Sequence, residues 1–344
     1  MEGPALTADR PILEIDNLKT YFFSRSGVVP AVDGMSYSLR RGEIVGVVGE
    51  SGCGKSVTAL SVLGLIPPSD GRIVGGRILF EGRDLVQAGD EEMRAIRGNK
   101  ISMIFQEPMS SLNPVLTIGR QISETICLHQ GLDRKSALDK AVAMLRLVQI
   151  SEPERRIGEY PHQLSGGMRQ RVMIAMALAC NPQVLLADEP TTALDVTIQA
   201  QILDLLLDLR SRLGAAMIMI THDLGVIAEI AQRVVVMYAG RKVEEASVVD
   251  LFDSPQHPYT RGLLQSVPKI EDARRDAPLG RRPRLTEIKG SVPSVNNRPK
   301  GCLFEPRCTF ATDACRAAYP PLEAKRPGHL AACWHSDRVS GASA

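Results

Sequence analysis

The stretch from Gly49 to Ser56 constrains this chain more than any other part of its sequence. It reads Gly-Glu-Ser-Gly-Cys-Gly-Lys-Ser and fits the phosphate-binding P-loop pattern at every required position. An apolar run at 44–48 precedes it and an apolar-periodic segment at 57–66 follows it, which predicts strand, loop and helix in that order. The glycines let successive backbone N–H groups turn toward a phosphate chain without Cβ atoms in the way. The stretch therefore predicts an α/β protein that binds a nucleoside triphosphate.

Individual residues of this loop can be assigned roles. Lys55 is expected to bind the β- and γ-phosphates, and Ser56 to offer its hydroxyl to Mg²⁺. The start of the following helix adds the favourable end of a helix dipole. The remaining members of the predicted phosphate cradle are Gly49, Glu50, Ser51, Gly52, Cys53, Gly54 and Val57.

Two adjacent carboxylates, Asp188 and Glu189, follow an apolar run at 184–187 that predicts a buried strand. Placing two charges at the end of an apolar strand costs free energy, so such a pair is expected to have a function. Asp188 is predicted to be the acid on the Mg²⁺ side of the site. Glu189 is predicted to orient or deprotonate the attacking water.

Two further polar residues are candidates for the same site. His222 follows a predicted strand at 216–220, and in open α/β sheets ligands bind at the carboxyl ends of the strands, so it would face the γ-phosphate. Gln106 lies at a predicted strand end before a proline-broken loop, where it could complete the Mg²⁺ shell. The ordinary alternatives are a structural histidine and a surface glutamine.

The segment Leu164-Ser165-Gly166-Gly167-Met168 predicts a second helix start that could bind an anion, with Ser165 as the N-cap. A simple capping turn is the alternative. One P-loop holds one nucleotide, so the residues alone leave open whose phosphate this second site would bind. Asp195 comes at another turn, before a helix predicted at 198–213.

Composition limits the kinds of partner. The chain has 344 residues and a formal net charge of +2, from 41 basic and 39 acidic residues, which gives no reason to expect nucleic acid as a partner. No apolar run approaches the roughly 18 to 20 residues needed to span a bilayer. The N-terminal residues lack the apolar region of a secretory signal. We therefore expect a soluble protein.

Taken together, these motifs occur in the order and spacing of the ABC-type ATPase domain, which the chain resembles over residues 11–264. The resemblance implies a RecA-like core with an antiparallel β subdomain and a helical subdomain. Short alternating segments at 12–15, 35–39 and 77–80 predict the same small antiparallel layer from the residues alone. It also implies head-to-tail pairs, in which the segment 164–168 of one subunit closes over the ATP held by the other. Glu189, His222, Lys55 and Gln106 would be catalytic. The cofactor-binding set would further include Phe22, stacked on adenine, with Tyr21 and Phe23 as fallbacks, together with Ser165, Gly166, Gly167, Asp188 and Asp195.

Three stretches resemble more closely the ATPase subunits of dipeptide and oligopeptide importers: Phe105–Pro114, Ser254–Arg261 and a cysteine-bearing tail. This resemblance implies a peripheral subunit on the cytoplasmic side of a membrane that hydrolyses ATP to power peptide import. Its partners would be a second ATPase subunit, more often a related chain than a copy, two transmembrane permease subunits and an external solute-binding protein. Nickel, glutathione or sugar import is the alternative within this class. A soluble ABC ATPase acting on ribosomes or DNA is a remote one, because the chain has neither a second P-loop nor a sustained heptad run.

The predicted C-terminal extension covers residues 265–340 and begins with a Pro/Arg-rich linker at 268–284. It contains Cys302, Cys308, Cys315 and Cys333 without a CxxC pair, so spacing alone leaves a metal site and free thiols equally open. The resemblance to peptide importers implies a [4Fe–4S] cluster on these four thiols. Zinc is the alternative.

Overall fold

The computed structural model describes residues 10–25, 27–192, 194–267, 287–293 and 298–341. The predicted linker at 268–284 lies outside these residues, as does Ala193. Within these ranges the chain forms two β-sheets and thirteen α-helices.

A four-stranded antiparallel sheet forms one layer of the molecule. Its strands are β1 (Leu13–Ser24), β2 (Gly27–Leu39), β4 (Gly71–Phe80) and β5 (Arg83–Asp84), in the order β2-β1-β4-β5. Alternate residues of these strands are buried, as expected of a sheet with one face against the core. The antiparallel layer predicted from the short alternating segments is confirmed.

The second sheet has eight strands. Their order is β11 (Glu323–Arg326), β12 (His329–Ala331), β10 (Arg241–Ser247), β9 (Arg233–Tyr238), β3 (Ile44–Val48), β8 (Ala216–Thr221), β7 (Val184–Asp188) and β6 (Ile101–Ile104). The parallel part of the sheet consists of β3, β6, β7, β8 and β9. All residues of β3, β7 and β8 are buried, because both faces of the sheet are covered and the strands are therefore continuously apolar. The P-loop strand β3 lies between β8 and β9.

The other end of this sheet is antiparallel and is partly built by the C-terminal extension. Strand β10 (Arg241–Ser247) pairs with β9, and β12 (His329–Ala331) pairs with β10 and with β11 (Glu323–Arg326). The described residues from 287 onward, called the extension, therefore continue the central sheet through β11 and β12, and the predicted small Cys-rich extension is not set apart from the ATPase fold.

Helices surround the sheets and form a helical region between β6 and β7. They are α1 (Lys55–Val62), α2 (Asp90–Ile96), α3 (Pro108–Ser111), α4 (Ile118–Gln130), α5 (Arg134–Leu147), α6 (Pro153–Arg156), α7 (Gly166–Leu178), α8 (Val196–Leu213), α9 (Leu224–Ile230), α10 (Val248–Asp253), α11 (Pro258–Gln265), α12 (Asp313–Ala317) and α13 (Ser336–Gly341). Within the described ranges, no helix is both long enough and apolar enough to cross a bilayer.

Two apolar cores hold these layers together. One lies between the antiparallel sheet, α1 and the near face of the central sheet. The other lies on the opposite face, under the helical region and α8, and it includes Leu303 and Phe304 of the extension. The P-loop lies where β3 leaves the central sheet between these two cores. The predicted ABC-type ATPase fold is confirmed by this architecture.

Candidate functional site

The P-loop joins β3 to α1 through backbone that only glycine fits. Gly49 has φ +154°, and an added Cβ would lie 2.2 Å from the carbonyl oxygen of Met237. Gly54, the residue before α1, has φ +104°, and its Cβ would lie 2.2 Å from the carbonyl oxygen of Ala31. Both contacts are with backbone, which cannot move aside as a flexible side chain can. The loop is therefore locked into its path by neighbouring strands.

Lys55 is buried at the start of α1 and turns back over the loop. Its Nζ donates to the carbonyl oxygens of Gly49, at 2.7 Å, and Glu50, at 3.1 Å. These bonds hold the ammonium group inside the loop, where the β/γ-phosphates are expected. Cys53 is buried nearby, while Ser51 and Gly52 are exposed and Val57 is half-buried on α1.

Ser56 and Asp188 form the pair predicted to face Mg²⁺. The Ser56 hydroxyl donates to Asp188 Oδ1 at 3.0 Å, although the two residues are 132 positions apart in sequence. Burial raises the pKa of Asp188, and the bond from Ser56 acts in the opposite direction. Ser56 at the start of α1 provides a hydroxyl, and Asp188 at the end of β7 provides a buried carboxylate. Both are oxygen ligands of the kind that Mg²⁺ prefers, so the residues present fit this ion.

Glu189 contacts two of the other predicted catalytic residues, Gln106 and His222. Its Oε2 accepts a hydrogen bond from Gln106 Nε2 at 3.1 Å, and its Oε1 lies 3.3 Å from His222 Nδ1. The Glu189 side chain is 11% exposed and that of His222 is 64% exposed, so the acid is sheltered and the histidine faces outward. The three residues follow neighbouring parallel strands β6, β7 and β8. This arrangement is the one expected from the carboxyl ends of adjacent parallel strands.

Thr192 was not anticipated from the sequence. Its hydroxyl donates to Glu189 Oε2 at 2.8 Å, and Glu189 itself has the left-handed backbone angle φ +45°. A second donor on the same oxygen fixes the carboxylate and leaves the other oxygen toward His222. The only available signal was the position of Thr192 three residues after the predicted base.

The second predicted helix start is present, and its binding of an anion stays a prediction. Ser165 is the N-cap of α7, where its hydroxyl accepts from the Met168 N–H at 3.4 Å. Gly166 has open space where a Cβ would be. In the described ranges no hydrogen bond connects Ser165 to the P-loop of the same chain. Asp195 likewise caps α8, accepting from the Ile198 N–H at 2.9 Å.

The three aromatic residues on β1 have different surroundings. The Tyr21 hydroxyl donates to Asp33 Oδ1 at 3.0 Å, and the Arg72 guanidinium lies 4.4 Å from the centre of the Phe23 ring. Phe22 is half-buried beside Gly71. Phe22 is thus the ring without a polar or cationic partner among the contacts described, and its adenine role stays a prediction.

Two residues that the sequence did not indicate bind the P-loop residue Glu50. The Glu50 N–H donates to the hydroxyl of Tyr259 at 2.7 Å, and its carboxylate receives two hydrogen bonds from Arg307 of the extension. Tyr259 lies in the segment Ser254–Arg261, whose sequence indicated a family resemblance but no contact with the P-loop. Arg307 is 257 positions from Glu50, so no local pattern could pair them.

The four cysteines of the extension line one narrow cavity together with Phe304 and Phe310. The Sγ atoms of Cys308 and Cys333 accept backbone N–H groups, at 3.4 and 3.3 Å. Burial, together with the three neighbouring cysteines, raises the pKa of the Cys302 thiol to about 12. All seven cysteines of the chain are free thiols.

The predicted metal site on these cysteines is not present as a ready-made set of ligands. Among the residues that the structure describes, no three His, Cys, Asp or Glu side chains are arranged to hold a metal ion. The thiols come from separate elements, on either side of a 3₁₀ turn (Glu305–Arg307), in α12 and after β12. They converge on a common cavity without closing to ligand geometry, so neither a [4Fe–4S] nor a zinc site is formed among the described residues.

Two family models match the chain. The model described as ABC transporter matches residues 32–192, and the model described as oligopeptide/dipeptide transporter, C-terminal region, matches residues 243–315.

Similar proteins cover almost the whole chain. A probable peptide ABC transporter ATP-binding protein of Sinorhizobium fredii is 56% identical over 95% of this chain and 96% of its own length. The oligopeptide transport ATP-binding protein AppD of Bacillus subtilis is 52% identical over 94% of this chain and 96% of its own length. Among solved structures, the dimeric post-hydrolysis state of the cassette MJ0796 bound to ADP and Pi is 28% identical, with a TM-score of 0.62 over 69% of this chain and 98% of that chain.

Proposed function

The chain belongs to the ABC transporter family as an ATP-binding subunit of the peptide-importer type, and we propose that it powers the import of di- and oligopeptides across a membrane. It binds and hydrolyses ATP. The convergence of Gln106, Glu189 and His222 beside a complete P-loop carries the ATPase part of this proposal, and the similarity to peptide-transporter ATP-binding proteins carries its import part. Charge and positioning groups of this kind are what phosphoryl transfer to water requires.

Each residue of the site has a task in hydrolysis. Lys55 and the loop amides would bind the β/γ-phosphates, and Glu189 would accept a proton from the water that attacks the γ-phosphate. His222 would stabilise charge on the transferred group, and Thr192 would keep the Glu189 carboxylate in place. Ser56, Asp188 and Gln106 would hold Mg²⁺, which neutralises phosphate charge when it is bound.

The loop after Gln106 offers a route from the site to the membrane subunits. It lies between the core and the helical region and exposes two apolar side chains, Met109 by 59% and Val115 by 74%. Two exposed apolar side chains on one loop suit a contact with another protein. We assign this loop to the contact with the transmembrane permease subunits on the cytoplasmic face.

The chain would act as two units and within a larger complex. Residues 11–264 would form the ATPase unit and residues 265–340 the extension attached to it. A second ATPase subunit would supply the helix start that corresponds to Ser165, which would bind the phosphates of the ATP held by this chain. Phe22 of this chain would stack on the adenine. An external solute-binding protein would deliver the peptide.

The substitution Glu189→Gln tests the proposed reaction. The amide keeps the shape and the bond to Thr192 but cannot accept the proton of the attacking water, so steady-state ATP hydrolysis should fall by about a hundredfold or more. ATP binding, measured by equilibrium titration, should persist. In membrane vesicles that contain the whole transporter, peptide uptake should stop.

Asp208→Asn is a matched control, since Asp208 is an exposed acid on α8 that pairs with Arg212. It should hydrolyse ATP as the unmodified chain does. Normal hydrolysis by Glu189→Gln would remove Glu189 from the role of base. If the unmodified chain hydrolyses ATP in the intact transporter but no peptide is taken up, the import proposal alone is overturned.

For the extension we propose that the four thiols bind a [4Fe–4S] cluster by closing inward on their common cavity. The support is their convergence and the N–H···S bonds to Cys308 and Cys333, which are typical of thiolates that serve as metal ligands. The cluster would hold the last strands and helices of the extension together.

Metal analysis after anaerobic purification tests this proposal. We expect about four iron and four sulfide per chain, reduced strongly by Cys308→Ser. Cys127→Ser is the control, because Cys127 lies on α4 outside the extension, and it should retain the iron. One zinc per chain without iron would replace the cluster by a zinc site, and neither metal would refute both.

A further inference from the structure

We propose that Arg307, in the C-terminal extension, is a positioning residue of the ATP site that acts through the P-loop residue Glu50. This inference rests on the proposed function, because it concerns the binding of ATP to that loop. It assigns to the extension a direct part in nucleotide binding. The geometry that carries it is a bidentate ion pair between the extension and the loop.

The ion pair has the fork geometry of a strong Arg–carboxylate contact. Arg307 Nη1 donates to Glu50 Oε2 at 2.7 Å, and Arg307 Nη2 donates to Glu50 Oε1 at 2.9 Å. The Arg307 side chain is only 4% exposed, whereas that of Glu50 is 28% exposed. Two parallel bonds restrict the direction of the carboxylate as well as its distance. Because the guanidinium is buried, solvent screens the pair less than it screens a surface salt bridge.

Arg307 is itself held in place by its surroundings. Its Nε donates to the carbonyl oxygen of Lys289 at 3.1 Å, and Nη2 also donates to that of Ile288 at 3.2 Å. The guanidinium lies 5.8 Å from the centre of the Tyr238 ring and 5.9 Å from that of Phe304. These contacts fix the cation before any nucleotide arrives. Arg307 is therefore a preorganised anchor for the loop.

Glu50 needs such a partner because of its place in the loop. Its N–H is bound by the Tyr259 hydroxyl and its carbonyl oxygen by Lys55 Nζ, so both backbone groups are already committed. Its side chain carries a negative charge in a loop whose ligand is a polyanion. Without Arg307 this carboxylate would repel the phosphates or compete for Lys55. The ion pair removes both effects by neutralising the carboxylate and turning it toward the extension.

The consequence is a specific division of effects on ATPase kinetics. Loss of Arg307 should weaken the binding of MgATP, because it leaves an uncompensated charge beside the phosphate cradle. It should affect the chemical step much less, since Glu189, Gln106 and His222 lie on other strands and do not contact Arg307. A residue that only stabilised the fold would lower the amount of active protein without changing KM.

The test compares Arg307→Gln with Arg316→Gln in the full chain, using MgATP. Arg316 is the matched control, because it is an arginine of the same extension whose ion pairs among the described residues are with Glu305 and Asp313, away from the loop. We expect KM for MgATP to rise about tenfold in Arg307→Gln with kcat changed by less than about threefold. Arg316→Gln should match the unmodified chain in both constants.

The double variant Glu50→Gln/Arg307→Gln separates positioning from folding. If Arg307 acts by neutralising Glu50, removing both charges should bring KM to within about threefold of that of Glu50→Gln alone. This double variant also carries the test if Arg307→Gln does not fold. An unchanged KM in Arg307→Gln, or a double variant as impaired as Arg307→Gln, would overturn the inference. An unmodified chain that does not bind ATP would instead refute the proposed function, so the two failures are distinct.

Discussion

Gly54 and Gly52 both have positive φ angles in the P-loop, but only Gly54 is enclosed by backbone. An added Cβ at Gly54 would lie 2.2 Å from the carbonyl oxygen of Ala31, whereas at Gly52 nothing lies within 4 Å. The two φ angles are +104° and +78°. An alanine at Gly52 therefore meets only the cost of its backbone conformation. At Gly54 it must also displace a strand.

These two glycines give a paired prediction for stability. Gly52→Ala should lower the free energy of unfolding by roughly 1 to 2 kcal/mol, the cost of a left-handed conformation. Gly54→Ala should lower it by about 4 kcal/mol or more, since the overlap with backbone cannot be relieved by rotating a side chain. Urea denaturation of both variants without nucleotide measures the difference. Equal losses would mean that the β2 backbone at Ala31 yields easily.

At the same scale, the sequence predicted the residues whose roles depend on local motifs. Lys55 and Ser56 follow from the P-loop pattern, and Glu189 follows from its position after a buried strand. Thr192 and Arg307 were missed for a different reason. Their functions depend on what they contact, and Arg307 reaches its partner from 257 residues away. Hydrogen bonds between residues so far apart cannot be predicted from the spacing of motifs or from hydrophobic periodicity.

At the scale of the element, hydrophobic periodicity predicted the antiparallel layer and the buried strands. It failed for the end of the central sheet, because β10 reads Arg-Lys-Val-Glu-Glu-Ala-Ser and carries four charged residues. Such a segment is typical of an exposed edge strand. The structure instead covers it with β12 and buries Lys242, Glu244 and Glu245.

Glu244 shows how a charge is tolerated there. Its Oε1 accepts from the Gln256 N–H at 2.6 Å and lies 2.7 Å from His329 Nε2, while Oε2 accepts from the His257 N–H at 3.0 Å. A fully buried carboxylate is stable only when donors of this kind replace water. One side chain thus joins β10 to β12 and to the segment that leads into α11. The partners come from two parts of the chain, 12 and 85 residues away, which is why the sequence could not indicate them.

At the scale of the whole molecule, one chain presents two incomplete halves of a nucleotide site. The P-loop and the Glu189 carboxylate would form one half, while the Ser165 helix start is exposed and makes no hydrogen bond to that loop in the described ranges. A helix N-terminus with open glycine backbone suits a phosphate. Two subunits arranged head to tail would complete both halves, and the ATP of each would lie between them.

The last prediction concerns this pairing. Glu189→Gln with MgATP should associate with a second ATPase subunit, doubling the mass measured by light scattering, because ATP that is not hydrolysed keeps the pair closed. Adding Ser165→Arg should prevent association, since a long side chain would fill the phosphate-binding face, while the same subunit still binds ATP at its own P-loop. Ser123→Arg, the same change on α4, is the control and should associate normally.

The same experiment identifies the partner. A dimer of the chain alone would identify a second copy as the partner, whereas association only on mixing with the related ATPase subunit of its transporter would identify that chain. If Ser165→Arg associates as fully as Ser123→Arg in both experiments, the Ser165 helix start does not contact the partner's nucleotide.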